Sequence, residues 1–256
     1  MELISGDSDR PLLCIGSVDR LTQSSASARN PDNAAVKADG ARMGAGDRSK
    51  AGNALLLHAL AHRHGGRPEE HVVSRDGRGR PIHLGGDSVS ISHSGPWAAC
   101  AVATGCLVGV DIQVIDARRD VMRIAEAFFS PEENHWLKNQ RREAFYQLFT
   151  LKEAYLKALG LGIAGGLQRV SCTIECGQIM ARTASAGMVG LHLYSGDDFF
   201  CAVACVGGGL AEPIDLLFVR PGSWQGGAVS RVACGSNTRK SWGGREAGAI
   251  RTVSNA

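Results

Sequence analysis

No C-x-x-C pair occurs among the eight cysteines of the chain, so the usual spacing of a structural zinc module is missing. Cys172 and Cys176, and again Cys201 and Cys205, lie four apart in apolar, strand-like runs. Each pair therefore shares a strand face and reads as small core hydrophobes rather than as part of a disulfide framework. A long apolar helix is also lacking. The run from Trp97 to Val110 is too short to span a bilayer and is broken by Thr104-Gly105, and the Met1 end carries no basic segment followed by an apolar stretch. A cytosolic protein with no membrane part is expected. A net positive charge is lacking except at one end: the net charge is +3, and from Pro221 onward five basic residues face Glu246 alone. Residues 1–220 are thus slightly acidic, and no basic face for a nucleic-acid backbone is expected there. There is no G-x-S-x-G, hence no hydrolase nucleophile elbow around Ser92. The string Gly160-x-Gly162-x-x-Gly165 matches a dinucleotide fingerprint in letters only, because it closes a helix instead of opening one.

What is present suits one domain or two small lobes sharing a core, in a chain of 256 residues. Pro11 to Asp19 reads as a first strand, followed by a polar stretch to about Gly46. From Asp47 a helix is predicted, with Leu56, Leu57 and Leu60 on one side and Gly65 as its stop. "RDGRGRPI" reads as a loop, "SVSISHSG" as a strand running into a sharp turn, and Trp97–Ala103 with Cys106–Gln113 as a hairpin. Ser130-Pro131-Glu132-Glu133 has the form of a capping box with Pro at the first helical position. Behind it a long helix carries the stripe Phe145, Phe149, Leu156 and Leu159 and ends at Gly160. Strands are predicted at Val170–Cys176, Val189–Tyr194 and Phe199–Val206, the last apolar on both faces and so central. Beyond Arg220 the Gly-, Ser- and Arg-rich composition predicts disorder.

Several residues stand out chemically. In "LVGVDIQ", Asp111 and Gln113 are two apart on a strand and leave the sheet on one face, an arrangement that offers oxygens to a hard cation such as Mg²⁺. Glu153 and Lys157, four apart, share a helix face. Lys152 falls inside the apolar stripe, where a lysine must either snorkel out or find an anion. Ser92 and His93 sit at a strand end. His58, His62 and His64 have a spacing that could grip a metal, but no acidic ligand accompanies them, and they read as the lower end of a surface helix.

"SISHSGPWAACAV", "VGVDIQ", "FFSPEE" and "FYQLFTLKEAYLKALGLGI", in that order and spacing from about Asp47 to Val206, resemble the 4'-phosphopantetheinyl transferases. The likeness is to the larger, two-lobed type that activates peptide and polyketide synthases. It implies an α+β fold of two similar lobes related by a pseudo-twofold, each a small sheet packed on a long helix, with lobes at 1–110 and 111–215 and a disordered tail at 216–256. It further implies a monomer that moves the 4'-phosphopantetheine arm of coenzyme A onto a serine of an apo acyl or peptidyl carrier protein, with Mg²⁺, releasing adenosine 3',5'-bisphosphate. Such in-line transfer asks for charge neutralisation and positioning.

By the same resemblance, Asp111, Gln113 and Glu153 would surround Mg²⁺. Lys157 and His93 would contact phosphates, with Ser92 beside them and Lys152 lining the same anionic pocket. Lys50, Arg48 and Arg80 would hold the 3'-phosphate and adenine end. Glu153 or Glu133 would take the serine proton, and Phe128 and Phe129 would help dock the carrier. Gln113 departs from the family, which usually has Glu there; the N-terminal basic cluster is thin, Lys37 and Arg42 being approximate matches. Two other readings use the same residues: a Mg²⁺-dependent phosphohydrolase, and a weakly active relative that binds coenzyme A or carriers.

Overall fold

The computed structural model describes residues 10–18, 21, 45–162, 166–175, 178–183, 189–207, 214–219, 230–233 and 251–254. Lys37, Arg42 and Cys176 lie outside them. The strands are β1 (Leu12–Ser17), β2 (Val73–Arg75), β3 (Pro81–His83), β4 (Ser88–Ser94), β5 (Trp97–Ala103), β6 (Leu107–Val114), β7 (Val170–Glu175), β8 (Gln178–Thr183), β9 (Val189–Ser195), β10 (Phe199–Val206), β11 (Asp215–Val219), β12 (Ser230–Ala233) and β13 (Arg251–Ser254). The α-helices are α1 (Ala45–His64), α2 (Val121–Phe128), α3 (Pro131–Leu137) and α4 (Arg142–Leu159). One sheet has the order β12-β11-β1-β5-β4 and another β13-β9-β10-β6, while β2–β3 and β7–β8 form separate ribbons. The α+β class is as expected.

Four layers stack in the order helix, sheet, sheet, helix. Ala51, Leu55, Leu56 and Leu60 of α1 are buried against β1 and β5. Leu13, Ile15, Ala101, Val110, Ile112 and Val203 fill the space between the sheets. Phe145, Leu148, Leu151 and Tyr155 of α4 pack on the far side of the second sheet. Each Leu, Ile, Val or Phe among them, once buried, stabilises the fold by about 1.5–3 kcal/mol. β10 is buried along its whole length and lies between β9 and β6, as its two-faced apolar sequence requires. No helix among the described residues is long and apolar enough to cross a membrane.

The expected hairpin of β5 and β6 does not form. β5 pairs with β1 and β4, whereas β6 pairs with β10. The chain changes sheets at Thr104–Cys106, where Gly105 takes a positive φ of 77°. The free edge of β6 is instead met by β4, whose alternate residues are serines. The hydroxyls of Ser88, Ser90, Ser92 and Ser94 accept hydrogen bonds from the backbone N–H of Val108, Val110, Ile112 and Val114 at 2.8–3.3 Å. Donors that an edge strand would leave bare are thereby satisfied across the junction of the two sheets. The S-x-S-x-S-x-S pattern is the sequence signal for this ladder.

β6 pairs with β10 along its whole length, from Leu107 to Val114. β11 runs parallel to β1 from Leu12↔Asp215 onward, and β12 and β13 extend the two sheets. The strand-length apolar run Leu216 to Val219 meets an open sheet edge there.

Candidate active site

Gly109 is where the site begins. A Cβ at this position would lie 2.0 Å from the carbonyl oxygen of Ala154 and 2.3 Å from the nitrogen of Ala158, so only glycine lets α4 rest directly on β6. That contact brings Glu153 and Lys157 to Asp111. The ammonium of Lys157 donates to Asp111 Oδ1 at 2.7 Å and to Ser92 Oγ at 2.8 Å, and Ser92 in turn donates to Asp111 Oδ1 at 2.8 Å. Lys157 therefore turns to Asp111, not to its helical neighbour Glu153.

Glu153 is left with a buried carboxylate oxygen, Oε1, that has no hydrogen-bond partner. Burial, with the charge of Asp111 adding and that of Lys157 opposing, pushes its carboxyl up to about 7. An unpartnered buried carboxylate oxygen beside a second carboxylate is what a divalent cation would satisfy, so Asp111 and Glu153 can hold one. Gln113 donates its amide N–H to Asp111 Oδ2 at 2.9 Å, and its amide oxygen accepts from Arg119 at 3.4 Å. A neutral donor here fixes the Asp111 carboxylate where a Glu would repel it.

These residues line a cleft of about 620 Å³ that also includes His93, Arg75, Arg78, Arg80 and Arg119. Burial lowers the His93 pKa, and the nearby positive charges of Arg48 and Lys157 add to that, favouring the neutral ring. The "RDGRGR" segment is the turn of the β2–β3 ribbon, held by Asp76. Its carboxylate accepts the backbone N–H of Arg78 and Arg80 at 2.9 Å each and the Arg80 guanidinium at 2.7 Å. This turn grips the end of α4: Arg78 donates to the carbonyl of Gly160 at 3.1 Å, and a Cβ on Gly160 would run into the Arg80 guanidinium. Gly160, at φ 68°, is the left-handed cap that ends α4.

Of the residues expected at the site, Asp111, Gln113, Glu153, Lys157, Ser92, His93 and Arg80 come together here. Arg48 reaches it through its charge on His93. Others do not. Lys50 is exposed on α1, 3.7 Å from Asp47, and does not line the cleft. Lys152 and Glu133, expected in the pocket, are sealed on the opposite side of α4 at 0% exposure, 2.5 Å from each other. Glu133 Oε2 also closes the capping box by accepting from Ser130 N, and Oε1 accepts from Cys172 N at 2.7 Å. Lys152 lies 4.5 Å from the centre of the Phe129 ring. Phe129 is buried and stacked on Phe145 at 5.5 Å, so of the two phenylalanines only Phe128 is exposed. Arg75, Arg78 and Arg119 were not foreseen; the Gly-interleaved arginines of "RDGRGR" were the available signal for the first two.

A carboxylate pair, a lysine and a ring of arginines around one cleft define a site for a polyanionic ligand such as a phosphorylated nucleotide. Comparisons with known proteins narrow this. Residues 107–204 match the family model of the 4'-phosphopantetheinyl transferase superfamily. The 4'-phosphopantetheinyl transferase HetI of Nostoc sp. is 32% identical over 173 residues, 63% of this chain and 72% of that protein. A Synechocystis sp. protein named "Putative 4'-phosphopantetheinyl transferase" is 39% identical over 85 residues, 32% of this chain and 35% of its own length. The 4'-phosphopantetheinyl transferase psf-1 of Bacillus pumilus is 33% identical over 142 residues, 53% of this chain and 60% of that one. The chain belongs to the 4'-phosphopantetheinyl transferase superfamily.

Proposed function

We propose that the protein transfers the 4'-phosphopantetheine group of coenzyme A to a serine of an apo carrier protein in a Mg²⁺-dependent reaction that releases adenosine 3',5'-bisphosphate. The observation that carries this reading is the unpartnered Glu153 oxygen beside Asp111, within an arginine-lined cleft. When bound between those carboxylates, Mg²⁺ would neutralise a diphosphate and draw off charge developing on it. Lys157, Arg75, Arg78, Arg80 and Arg119 supply the remaining positive charge. A neutral His93 can donate a ring N–H to the phosphate being transferred. Of the two carboxylates weighed for taking the serine proton, Glu133 has both oxygens engaged. That leaves Glu153, which faces the cleft beside Asp111, as the carboxylate to take that proton.

A long helix set against a sheet in each half, α1 on the first and α4 on the second, supports the pseudo-twofold reading of the architecture. The enzyme is read as a cytoplasmic monomer, and exposed Phe128 as part of the surface that meets the carrier's helix. The test is to incubate the protein with coenzyme A, Mg²⁺ and an apo carrier and to weigh the carrier. A gain of one phosphopantetheine is expected. Release of phosphate or nucleotide without a carrier would indicate a hydrolase, and coenzyme binding with no gain across several carriers would indicate a binding module.

A further inference from the structure

We propose that His64, His83 and Asp87 form a second metal site, outside the cleft, for a transition-metal ion of the Zn²⁺ class. The three come from the last residue of α1, the last of β3 and the residue before β4. His64 Nε2 lies 2.7 Å and His83 Nδ1 2.8 Å from the same oxygen, Asp87 Oδ2, and the three ligand atoms all fall within 4.8 Å of one another. None of the three residues lines the cleft. Imidazole nitrogens with one carboxylate suit Zn²⁺, Co²⁺ or Ni²⁺ and do not suit Mg²⁺, which prefers oxygen donors.

Tetrahedral Zn²⁺ with ligands at about 2.0–2.2 Å sets neighbouring donor atoms roughly 3.3 Å apart. Each nitrogen then has to withdraw about half an ångström from the shared oxygen, and the two nitrogens, which lie within 4.8 Å of each other, have to settle at the same spacing. His71 supplies a third ring, its centre 6.2 Å from that of His64 and 6.0 Å from that of His83, with 5.8 Å between those two. Its Nε2 lies 3.1 Å from the carbonyl of Gly65, and it stands beside the three ligand residues without being one of them.

The surroundings are built to hold these groups. Asp87 Oδ1 accepts from Thr104 Oγ1 at 2.7 Å, with the Arg63 guanidinium 3.9 Å away, which orients the carboxylate as an outer shell does. A Cβ at position 85 would lie 2.4 Å from His83 Cε1, so Gly85 is what admits that ring. His83 and Asp87 are buried while the His64 side chain is 40% exposed, giving an ion a way in. Without metal, the two ring nitrogens donate to Asp87; on binding, each proton moves to the other nitrogen of its ring, and the lone pairs turn to the ion. The ion would tie α1, which carries Arg48, to the connection between β3, which follows Arg80, and β4, which carries His93.

The test is independent of the transferase reading. The full chain, stripped by chelator and dialysed, is titrated with Zn²⁺ in the presence of excess Mg²⁺ by calorimetry, and with Co²⁺ by visible absorption. One equivalent should bind, with a cobalt spectrum free of thiolate charge transfer. His64→Gln, a change at an exposed side chain that leaves folding intact, should weaken binding by at least about 100-fold. The double change His58→Gln/His62→Gln should leave it unaltered. No uptake, a thiolate spectrum, or binding that survives His64→Gln would overturn the proposal.

Discussion

One helix carries two lysine–carboxylate pairs, and they teach different lessons. Lys152 and Glu133 are both at 0% exposure, while Lys157 and Asp111 are 29% and 3% exposed at the edge of the cleft. At 100° per residue the two lysines point about 140° apart around α4. Lys152 enters the core beneath Phe129, where burial pulls its ammonium pKa down and Glu133 works against that. Every oxygen of its partner is engaged, so the pair is a closed structural unit. Lys157 instead keeps one side open to the cleft and stands beside Glu153, whose Oε1 has no partner. The same chemistry is thus structural where it is saturated and available where it is not.

The largest effect should come from the residue that seats α4 on β6. Gly109→Val would push α4 from β6, and a loss of more than about 3 kcal/mol in urea unfolding is expected, with transfer abolished. Next, Glu133→Gln leaves the Lys152 charge buried without its counter-ion and should cost about 3–5 kcal/mol of stability. A loss below 1 kcal/mol would show that the pair is not the closed unit described. Lys157→Met should do the opposite. Unfolding should shift by less than for Glu133→Gln, because Asp111 keeps its hydrogen bonds from Ser92 and Gln113, while transfer to the carrier falls about 10²–10³-fold. Equal losses in both assays would erase the contrast.

A fourth, smaller effect concerns Glu153. Its folded pKa of about 7 lies above the ordinary carboxylate value of 4.5, so its contribution favours the folded state below about pH 4.5 and is lost as pH rises through about 7. In metal-free buffer the thermal midpoint should fall across that window, and Glu153→Gln should flatten the fall; identical slopes would contradict the assigned burial. The smallest change is Gln113→Glu, which sets a second carboxylate beside Asp111. Transfer should then saturate at lower Mg²⁺, and an unchanged requirement would remove residue 113 from the metal's surroundings.

Much of this was legible in the chain because it is local. The Ser130–Glu133 capping box and the Gly160 stop rest on contacts within a few residues, and the α4 stripe and the apolar β10 are patterns within one element. Asp111 and Gln113 share a face because strand side chains alternate, and they do meet, at 2.9 Å. The β5–β6 hairpin was misread for the same reason, since adjacency in sequence suggested pairing while the edge of β6 was taken by the serines of β4. Lys152 could be seen to need an anion, but not that Glu133, 19 residues away, would supply it in the core instead of a ligand in the cleft.

What the sequence by itself determined is the set of elements, the face on which each chemical group sits and the order of motifs that marks the superfamily, because periodicity and capping act over a turn or a strand. Which groups meet was decided only by the tertiary structure. His64 shows this most plainly: its neighbours in sequence offered no acidic ligand, and the packing of α1 beside the β3–β4 connection brought it Asp87 from 23 residues away. Burial then separates saturated pairs from open ones, since a charge removed from water must be satisfied by whatever the fold places beside it.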